Sequence, residues 1–432
     1  MTGSVSFGIT GDSLIVKRIC RSSASAQNIR RIFSSCDVCF TNLETSLHKF
    51  EPDVYPSRFS GGDWVVSSPT ILNDLKWLGF NFFSIPNNHS LDWSHGGLIH
   101  TIENLEQADV VFSGIGKNLA DASAPGYLET SGGRVALISC CSTFDSWHMA
   151  GQQRQDVQGR PGIFGIEFEK IFTIKEDELR TLEELSKRQM CEEDGWIECN
   201  SEKLFSFNGC LYKTGNPSVI TRVKQSSLDL LSKKIQEAKR QADLVIVSMH
   251  SHERKADDPH IPADFQKEIA HFAIDCGAHA FLGHGPHVIR GIEIYKGQPI
   301  IHGLGNFFYQ CELLSKAPDE FYSKFAPFPG NAATADVYDY RVSHGGILGE
   351  TNPDYFVTAI VLFTLSGGKL SSLTIHPISL QFDAHRSSKG TPVPAVSGKA
   401  EQILDQIEKL SEQFGTKLIR QNHCSELKLS QQ

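Results

Sequence analysis

Apolar and polar positions along the first 140 residues follow a repeated strand, loop, helix rhythm. Residues 5–9 alternate small and apolar side chains and run into Gly11-Asp12, as a strand entering a turn does. Residues 26–35 place Ile29, Ile32 and Phe33 on one helical face. Residues 38–41 form a short apolar strand that ends at Asn42-Leu43-Glu44. Ser68-Pro69 opens a second predicted helix, which runs to Leu78 and stops at Gly79. A strand over 81–85 leads to Pro86-Asn87-Asn88-His89. A helix over 98–107 and strands over 110–112 and 134–140 follow.

The pattern loosens from Ser142 to about Val223, where one helical stretch, 175–190, sits among Gly, Pro and charged residues. This segment is expected to be an insertion or cap over 142–223. Regular rhythm returns with a helix over 228–241, a strand over 244–249, a helix over 263–276 and a strand over 280–282. Residues 292–295 and 299–301 suit a hairpin turned by Lys296-Gly297. Residues 312–352 read as loop-rich, 355–365 as a strand, and the end as a polar tail with a helix over 400–413. The expected organisation is a main domain over 1–385 and a C-terminal tail over 386–432. Strands alternating with helices predict an α/β layered fold, and in such folds chemistry gathers at the carboxyl ends of strands. Asp12, Glu44, Asn88-His89, His250 and His284 all fall just after a predicted strand.

Composition narrows the function. The chain has 432 residues, a formal net charge of −9 and 40% hydrophobic residues, which excludes a disordered or collagen-like chain. An acidic balance also speaks against a nucleic-acid partner, whose phosphates need a basic surface. No stretch is long and apolar enough to span a membrane, and the amino terminus has no basic start followed by an apolar run. The 11 cysteines are scattered; Cys36-Asp-Val-Cys39 fits CxxC spacing, but no second pair completes a zinc knuckle. They are expected to be mostly small buried hydrophobes in a reducing, cytoplasmic setting.

The histidines are not scattered. Of 17, eight lie between residues 250 and 302. His260, His271 and His279 fall in loops or beside helices and are read as background. The other five stand at strand ends, in His250-Ser-His252-Glu253, Gly283-His284-Gly-Pro-His287 and His302-Gly-Leu-Gly-Asn306. Neutral imidazoles, carboxylates and Asn carbonyls at adjacent strand ends are the donor set of one or two divalent ions: Mn, Zn or Fe, or Ca on an oxygen-rich subset. Such ions lower the pKa of water and stabilise oxyanions, and they supply local positive charge in an acidic protein.

In order, Gly11-Asp12, Asn42-Leu43-Glu44, Asn88-His89 with Asp92, His250, and Gly283-His284-Gly-Pro-His287 resemble the calcineurin-like metallophosphoesterases. More closely, with Gly116-Lys-Asn118, Arg160-Pro161-Gly162 and Gly303-Leu-Gly305-Asn306-Phe307, the chain resembles the bacterial capsule-synthesis family (CapA/PgsA-like, of the poly-γ-glutamate synthesis type) over residues 5–310. The resemblance implies a four-layer α/β/β/α sandwich with a metal centre at one edge. It implies the ligands Asp12, Glu44, Asn88, His250, His284 and His287, with His89 as acid or phosphate-contacting group and Asp92 as its orienting partner. Five positions depart from the family pattern. Ser13-Leu14 stands where an Asp-x-His block would continue, Glu44 where the superfamily uses Asp, Ser251-His252-Glu253 after His250 where Trp-Gly and then Glu is usual, Gly285 where a second His is frequent, and His302 where Tyr is common.

The resemblance implies a metal-dependent hydrolase acting on a phosphoester or a peptide or amide-type bond, with an anionic polymer or peptide as substrate. Two alternatives stay open. One is a metal-dependent peptide epimerase, in which Asp12 and His302 remove and return an α-carbon proton. The other is a non-catalytic scaffold of polymer synthesis. Arg58 and Arg160 are candidate substrate-binding residues, and Arg154, Tyr338, Tyr340 and Arg341 are further candidates in the irregular segments.

Overall fold

The computed structural model describes residues 3–189, 194–199, 202–325, 329–344, 350–421 and 424–427. Its centre is the long strand Ser4–Leu14. This strand pairs in parallel with Val38–Leu43 on one side and antiparallel with Val357–Ser366 on the other. Phe82–Ser84 and Val111–Ser113 extend the sheet beyond the first neighbour, and Lys369–Ser379 extends it beyond the second. A second sheet runs Ile292–Tyr295, Gln298–Ile301, Ala280–His284, Leu244–His250, Gly133–Cys141, Gly126–Thr130.

Side-chain alternation sorts the strands into layers. Val5, Phe7, Ile9, Val38 and Phe40 of the first sheet meet Val135, Leu137, Leu244, Ile246 and Leu282 of the second in one buried core. The opposite positions face outward. Cys39 and Phe83 pack with Ile29, Phe33, Leu75 and Leu98 of the helices Ala24–Phe33, Ile71–Leu78 and Ser94–Gln107. Ala136, Val245, Val247 and Phe281 pack with Leu231, Ile235, Ile269 and Ala273 of the helices Gln225–Lys239 and Asp264–Asp275. The result is the four-layer α/β/β/α sandwich that the family resemblance implies. Strands that are apolar on both faces follow from this, because each sheet is covered on both sides.

Elements differ from the sequence expectation in four places. The second helix begins at Ile71 with Thr70 as its cap, two residues past Pro69, and it ends as expected at Gly79, whose φ is 123°. The segment read as irregular holds a five-stranded sheet, ordered Gly195–Cys199, Glu202–Phe207, Cys210–Thr214, Phe168–Ile174, Ser218–Val223. Its strands bury few side chains, with Phe205 and Phe207 packed on Leu179 of the adjoining helix, so their apolar alternation is weak. The helix expected there is Glu176–Gln189; Met190 lies outside the described residues. The loop-rich stretch contains the helices Asp319–Phe325 and Thr334–Ser343.

The helix expected in the polar tail is Ser397–Glu412, and it belongs to the body of the protein. Ala400, Ile403, Leu404 and Ile407, spaced as one helical stripe, sit in the core shared by the two sheets. Leu418–Gln421 and Cys424–Leu427 then join the edge of the first sheet at Lys369–Ser379. Among the described cysteines eight are free, and Cys39, Cys140, Cys141 and Cys311 are buried while Cys20 is exposed. No helix among the described residues is long and apolar enough to cross a membrane.

Candidate metal centre

The carboxyl ends of the two sheets converge on one point. In the first sheet Asp12 lies opposite both Asn42 and Asn306, with a register shift between Ile9 and Asp12 that re-aims the strand end. Gly11 permits this approach: a Cβ there would lie 1.8 Å from the Gly305 carbonyl oxygen, which accepts the Asp12 N–H at 2.9 Å. In the second sheet His250 and His284 are register partners on adjacent parallel strands, so their rings share a face. Their Nδ1 atoms stand 3.1 Å apart. His287 follows in a left-handed conformation, φ 60°, with Nδ1 2.7 Å from Asn306 Oδ1.

Around this point Asn42 donates to Asp12 Oδ1 at 2.7 Å, and Gly285 N–H donates to Asp12 Oδ2 at 3.0 Å. His250 Nε2 is 2.8 Å from Asn88 Oδ1, and His252 Nε2 is 3.2 Å from the same oxygen. Ser248 Oγ is 2.7 Å from His284 Nε2, leaving Nδ1 of that ring to the centre. Three overlapping groups have ligand atoms within 4.8 Å of one another: Asp12, His250 and His284; Glu44, His250 and His252; and Asp12, Glu44 and His287.

The electrostatics are those of buried donors that burial drives toward neutrality. Glu44 is fully buried, and neither carboxylate oxygen has a hydrogen-bond partner. Burial first, then the charges of Asp12 and Asp92, pushes its pKa well above the usual carboxylate range. Burial pushes Asp12 up to about 7, against the hydrogen bonds from Asn42 and Gly285. Burial holds His284 down to about 3 and His287 to about 4, and it drives His250 and His252 well below the usual imidazole value with help from neighbouring rings. Neutral imidazoles and charge-starved carboxylates presenting lone pairs to one point fit a divalent cation, which reverses the cost of burying those carboxylates.

His89 stands at the edge of the cluster, with Nε2 3.9 Å from Glu44 Oε1. Its Nδ1 is 2.7 Å from Asp92 Oδ2, and that oxygen also accepts Val65 N–H at 2.9 Å. Burial alone would lower the His89 pKa; the Asp92 charge and hydrogen bond, with Asp63 nearby, raise it instead. Gly61 packs on Asn88 so closely that a Cβ would meet the amide nitrogen at 2.0 Å. A cavity of about 270 Å³ opens over His89, His252 and His287, walled by Tyr309 and Tyr355.

All six residues of the expected ligand set, Asp12, Glu44, Asn88, His250, His284 and His287, meet here, and His89 and Asp92 adjoin them. Three other expected residues are elsewhere. His302 does not pair with Asp12: its Nε2 is 3.0 Å from Glu293 Oε2 and its ring stacks on Phe414. The reason is register. Glu293 lies opposite Ile300 in the hairpin, and His302, two residues on, shares that face and points away from the centre. Arg58 is exposed, with its guanidinium 5.9 Å from the Phe59 ring, and Arg160 is exposed, donating to the Met149 carbonyl at 3.0 Å. Neither lines the cavity. Arg341 does, held to Asp63 at 2.6 Å, and Tyr338 OH donates to the same carboxylate at 3.0 Å.

The ligand set implied by the resemblance leaves out His252, a strand-end histidine, and sequence reasoning gave Asn42 and Asn306 no role of their own. His252 was legible: two residues past His250 in extended chain, it returns to the same face. Asn42 and Asn306 needed the strand pairing to bring them beside Asp12.

A family model described as "Bacterial capsule synthesis protein PGA_cap" matches residues 1–310, a span that contains every residue of the cluster. The uncharacterized protein y4sH of Sinorhizobium fredii is 32% identical over 409 residues, covering 93% of this chain and 88% of its own length. The PGA biosynthesis protein CapA of Bacillus subtilis is 23% identical over 287 residues, 66% of this chain and 56% of that protein. Among solved structures, one described as a 5′-nucleotidase from Staphylococcus aureus aligns with a TM-score of 0.38 and 10% identity. It covers 94% of this chain, which spans 58% of its length, and a likeness of that size identifies no fold.

Proposed function

We propose that this chain, which belongs to the bacterial capsule synthesis protein (PGA_cap) family, is a metal-dependent hydrolase that cleaves a phosphoester or amide-type bond in an anionic polymer or peptide. The observation that carries this reading is Glu44, fully buried with both oxygens unpartnered among Asp12 and four imidazoles. Asp12, Glu44, Asn88, His250, His252, His284 and His287 would hold one or two divalent ions, and an imidazole-rich set favours Mn, Fe or Zn over Ca. Such an ion supplies a Lewis acid to the oxygen at the scissile centre and makes water more acidic.

The chain's own residues supply the rest. Asp92 binds His89 Nδ1 and fixes the tautomer and ring plane, so Nε2 faces the cluster. The raised pKa of His89 keeps a proton available at Nε2 for a leaving oxygen or nitrogen near neutral pH. Tyr309 and Tyr355 narrow the access of water from the cavity side. The names of the Bacillus relatives support a setting in capsule or poly-γ-glutamate synthesis, and the free thiols support a reducing, cytoplasmic compartment. Epimerisation by Asp12 and His302 draws no support from a His302 ring turned to Glu293.

The test is elemental analysis of the purified chain together with hydrolysis of bis-p-nitrophenyl phosphate, p-nitrophenyl phosphate and γ-glutamyl-p-nitroanilide. The expected result is bound transition metal and chelator-sensitive turnover of one class. Bound metal with neither turnover of any probe nor α-carbon exchange would favour the scaffold reading. Deuterium uptake at an α-carbon without hydrolysis would make it an epimerase.

A further inference from the structure

Arg290 is 1% exposed, and its guanidinium hydrogen-bonds to no carboxylate, although the charges of Glu253, Asp258 and Asp12 favour its cationic form. A buried cation is costly unless its donors find acceptors, and each of its three nitrogens donates to a backbone or amide oxygen. Nη2 donates to the Glu253 carbonyl at 2.8 Å, Nε to the Pro259 carbonyl at 2.9 Å, and Nη1 to Gln266 Oε1 at 3.1 Å. Gln266 passes the restraint on: its Nε2 donates to the Ser251 carbonyl at 3.2 Å, and its Oε1 also accepts Ala263 N–H at 2.7 Å.

The segment so held carries two of the imidazoles. Ser251 N–H donates to the His284 carbonyl at 2.8 Å, which ties residues 250–253 to the other histidine turn. Glu253 Oε2 accepts hydroxyls from Ser142, Thr143 and Ser251 at 2.9, 2.9 and 2.7 Å. Thr143 Oγ1 in turn accepts His252 N–H at 2.8 Å. Arg290 itself stands three residues past His287, and its N–H donates to the Gly303 carbonyl at 2.9 Å. One planar fork therefore spans from the chain that follows His284 and His287 to the chain that follows His250 and His252.

We propose that Arg290 is the positioning residue of the metal centre, locking residues 250–253 against the turn 284–287 so that His250 and His252 meet Asn88 and Glu44 at ligand distance. Its bearing on metal rests on the reading under Proposed function; its hold on the two turns does not. Lysine cannot replace it, because a single ammonium does not reach three acceptors set in a plane.

The test uses the full chain as wild type, Arg290→Met and Arg290→Lys, with Asp74→Asn as a control. Asp74 is buried in the outer helical layer, where it binds Arg21 at 2.9 Å and Ile19 N–H at 3.0 Å, so its loss strains the fold away from the centre. Hydrogen exchange of the metal-free proteins is followed in the peptide carrying Ser251 and His252, and Mn²⁺ affinity is measured by competition with a fluorescent chelator. Arg290→Met is expected to raise exchange in that peptide at least about tenfold and to weaken Mn²⁺ about ten- to hundredfold, the range seen when a ligand's supporting partner is removed. Arg290→Lys, which keeps charge and bulk and covers the case in which the Met variant does not fold, is expected between the two. Asp74→Asn should change neither quantity. A folded Arg290→Met or Arg290→Lys protein with wild-type exchange at residues 251–252 overturns the proposal. A wild type that binds none of Mn²⁺, Fe²⁺ and Zn²⁺ overturns the metal reading alone, since the exchange result still decides the role of Arg290.

Discussion

Two clusters of histidine and carboxylate lie on opposite faces of the second sheet's end, and they differ in how their lone pairs are spent. In one, Glu293 gives Oε1 to His271 at 2.7 Å and Oε2 to His302 at 3.0 Å, and the rings stack on Tyr295 and Phe414. Burial would raise the Glu293 pKa, but the two imidazole bonds outweigh it and hold the carboxyl below its usual range. In the other, Glu44 has no partner for either oxygen and its pKa is driven up. The residue types are the same. The saturated cluster is finished as it stands and acts as a cross-link between hairpin, helix and C-terminal segment. The unsaturated one leaves both Glu44 oxygens without a hydrogen bond among Asp12 and four imidazoles, a donor set that fits a cation. Unspent lone pairs, more than the presence of histidine, mark the functional site.

The largest effect that separates the two clusters is catalytic. His89→Asn should lower turnover of the hydrolysed probe by about 10²- to 10⁴-fold, or about 3–5 kcal/mol in the barrier, with metal content unchanged. His302→Asn, on the saturated side, should leave turnover within about twofold, which is under about 0.5 kcal/mol. A comparable loss in both variants would erase the distinction. Next in size, Mn²⁺ at a hundredfold excess over its Kd should stabilise the wild type by about 2.7 kcal/mol, read as a shift in the thermal or denaturant midpoint. The shift should vanish in His284→Ala and persist in His271→Ala.

Third, Glu293→Gln should cost about 1–3 kcal/mol of stability, because the buried His302 and the half-exposed His271 lose a charged acceptor. The folded-state pKa of Glu293 is depressed, so its contribution is fully present above the ordinary carboxylate value and is lost as pH falls through the depressed one. The stability gap between wild type and Glu293→Gln should therefore be flat from pH 7 to about 5 and shrink in more acidic solution. A gap that grows on acidification contradicts the assignment. Smallest of all, Arg160→Ala removes an exposed side chain that binds only the Met149 carbonyl and lies outside the cavity lining. It should change stability by less than about 0.5 kcal/mol and leave metal affinity alone. A raised KM in this variant would restore Arg160 as a substrate contact.

The sequence made the layered α/β fold legible where strands are apolar on both faces, as in residues 244–249, since only a sheet covered on both sides demands that. It hid the five-stranded sheet, whose strands bury few side chains, and the strand Lys369–Ser379, where Ser371, Ser372 and Thr374 interrupt the apolar run. The helix Ser397–Glu412 is legible as a helix, but polar flanks disguise the stripe of Ala400, Ile403, Leu404 and Ile407 that packs it into the core. At the cluster, strand-end placement and the family resemblance single out Asp12, Glu44, Asn88, His250, His284 and His287, and the fold brings these side chains together. Strand-end placement also drew in His302, because chain position alone does not say which face a residue takes one step past a strand. The pairing of Glu293 with Ile300 decides that, and it is set in three dimensions.

The most direct test of this account is bound-metal stoichiometry and affinity in wild type, Glu44→Gln and Glu293→Gln, measured side by side. Glu44→Gln removes the unpartnered carboxylate and should lose metal or weaken it at least about tenfold. Glu293→Gln should bind as wild type does once folded. Equal metal binding in wild type and Glu44→Gln, or loss of metal in Glu293→Gln, would contradict the claim that the buried, unpaired Glu44 marks the metal centre.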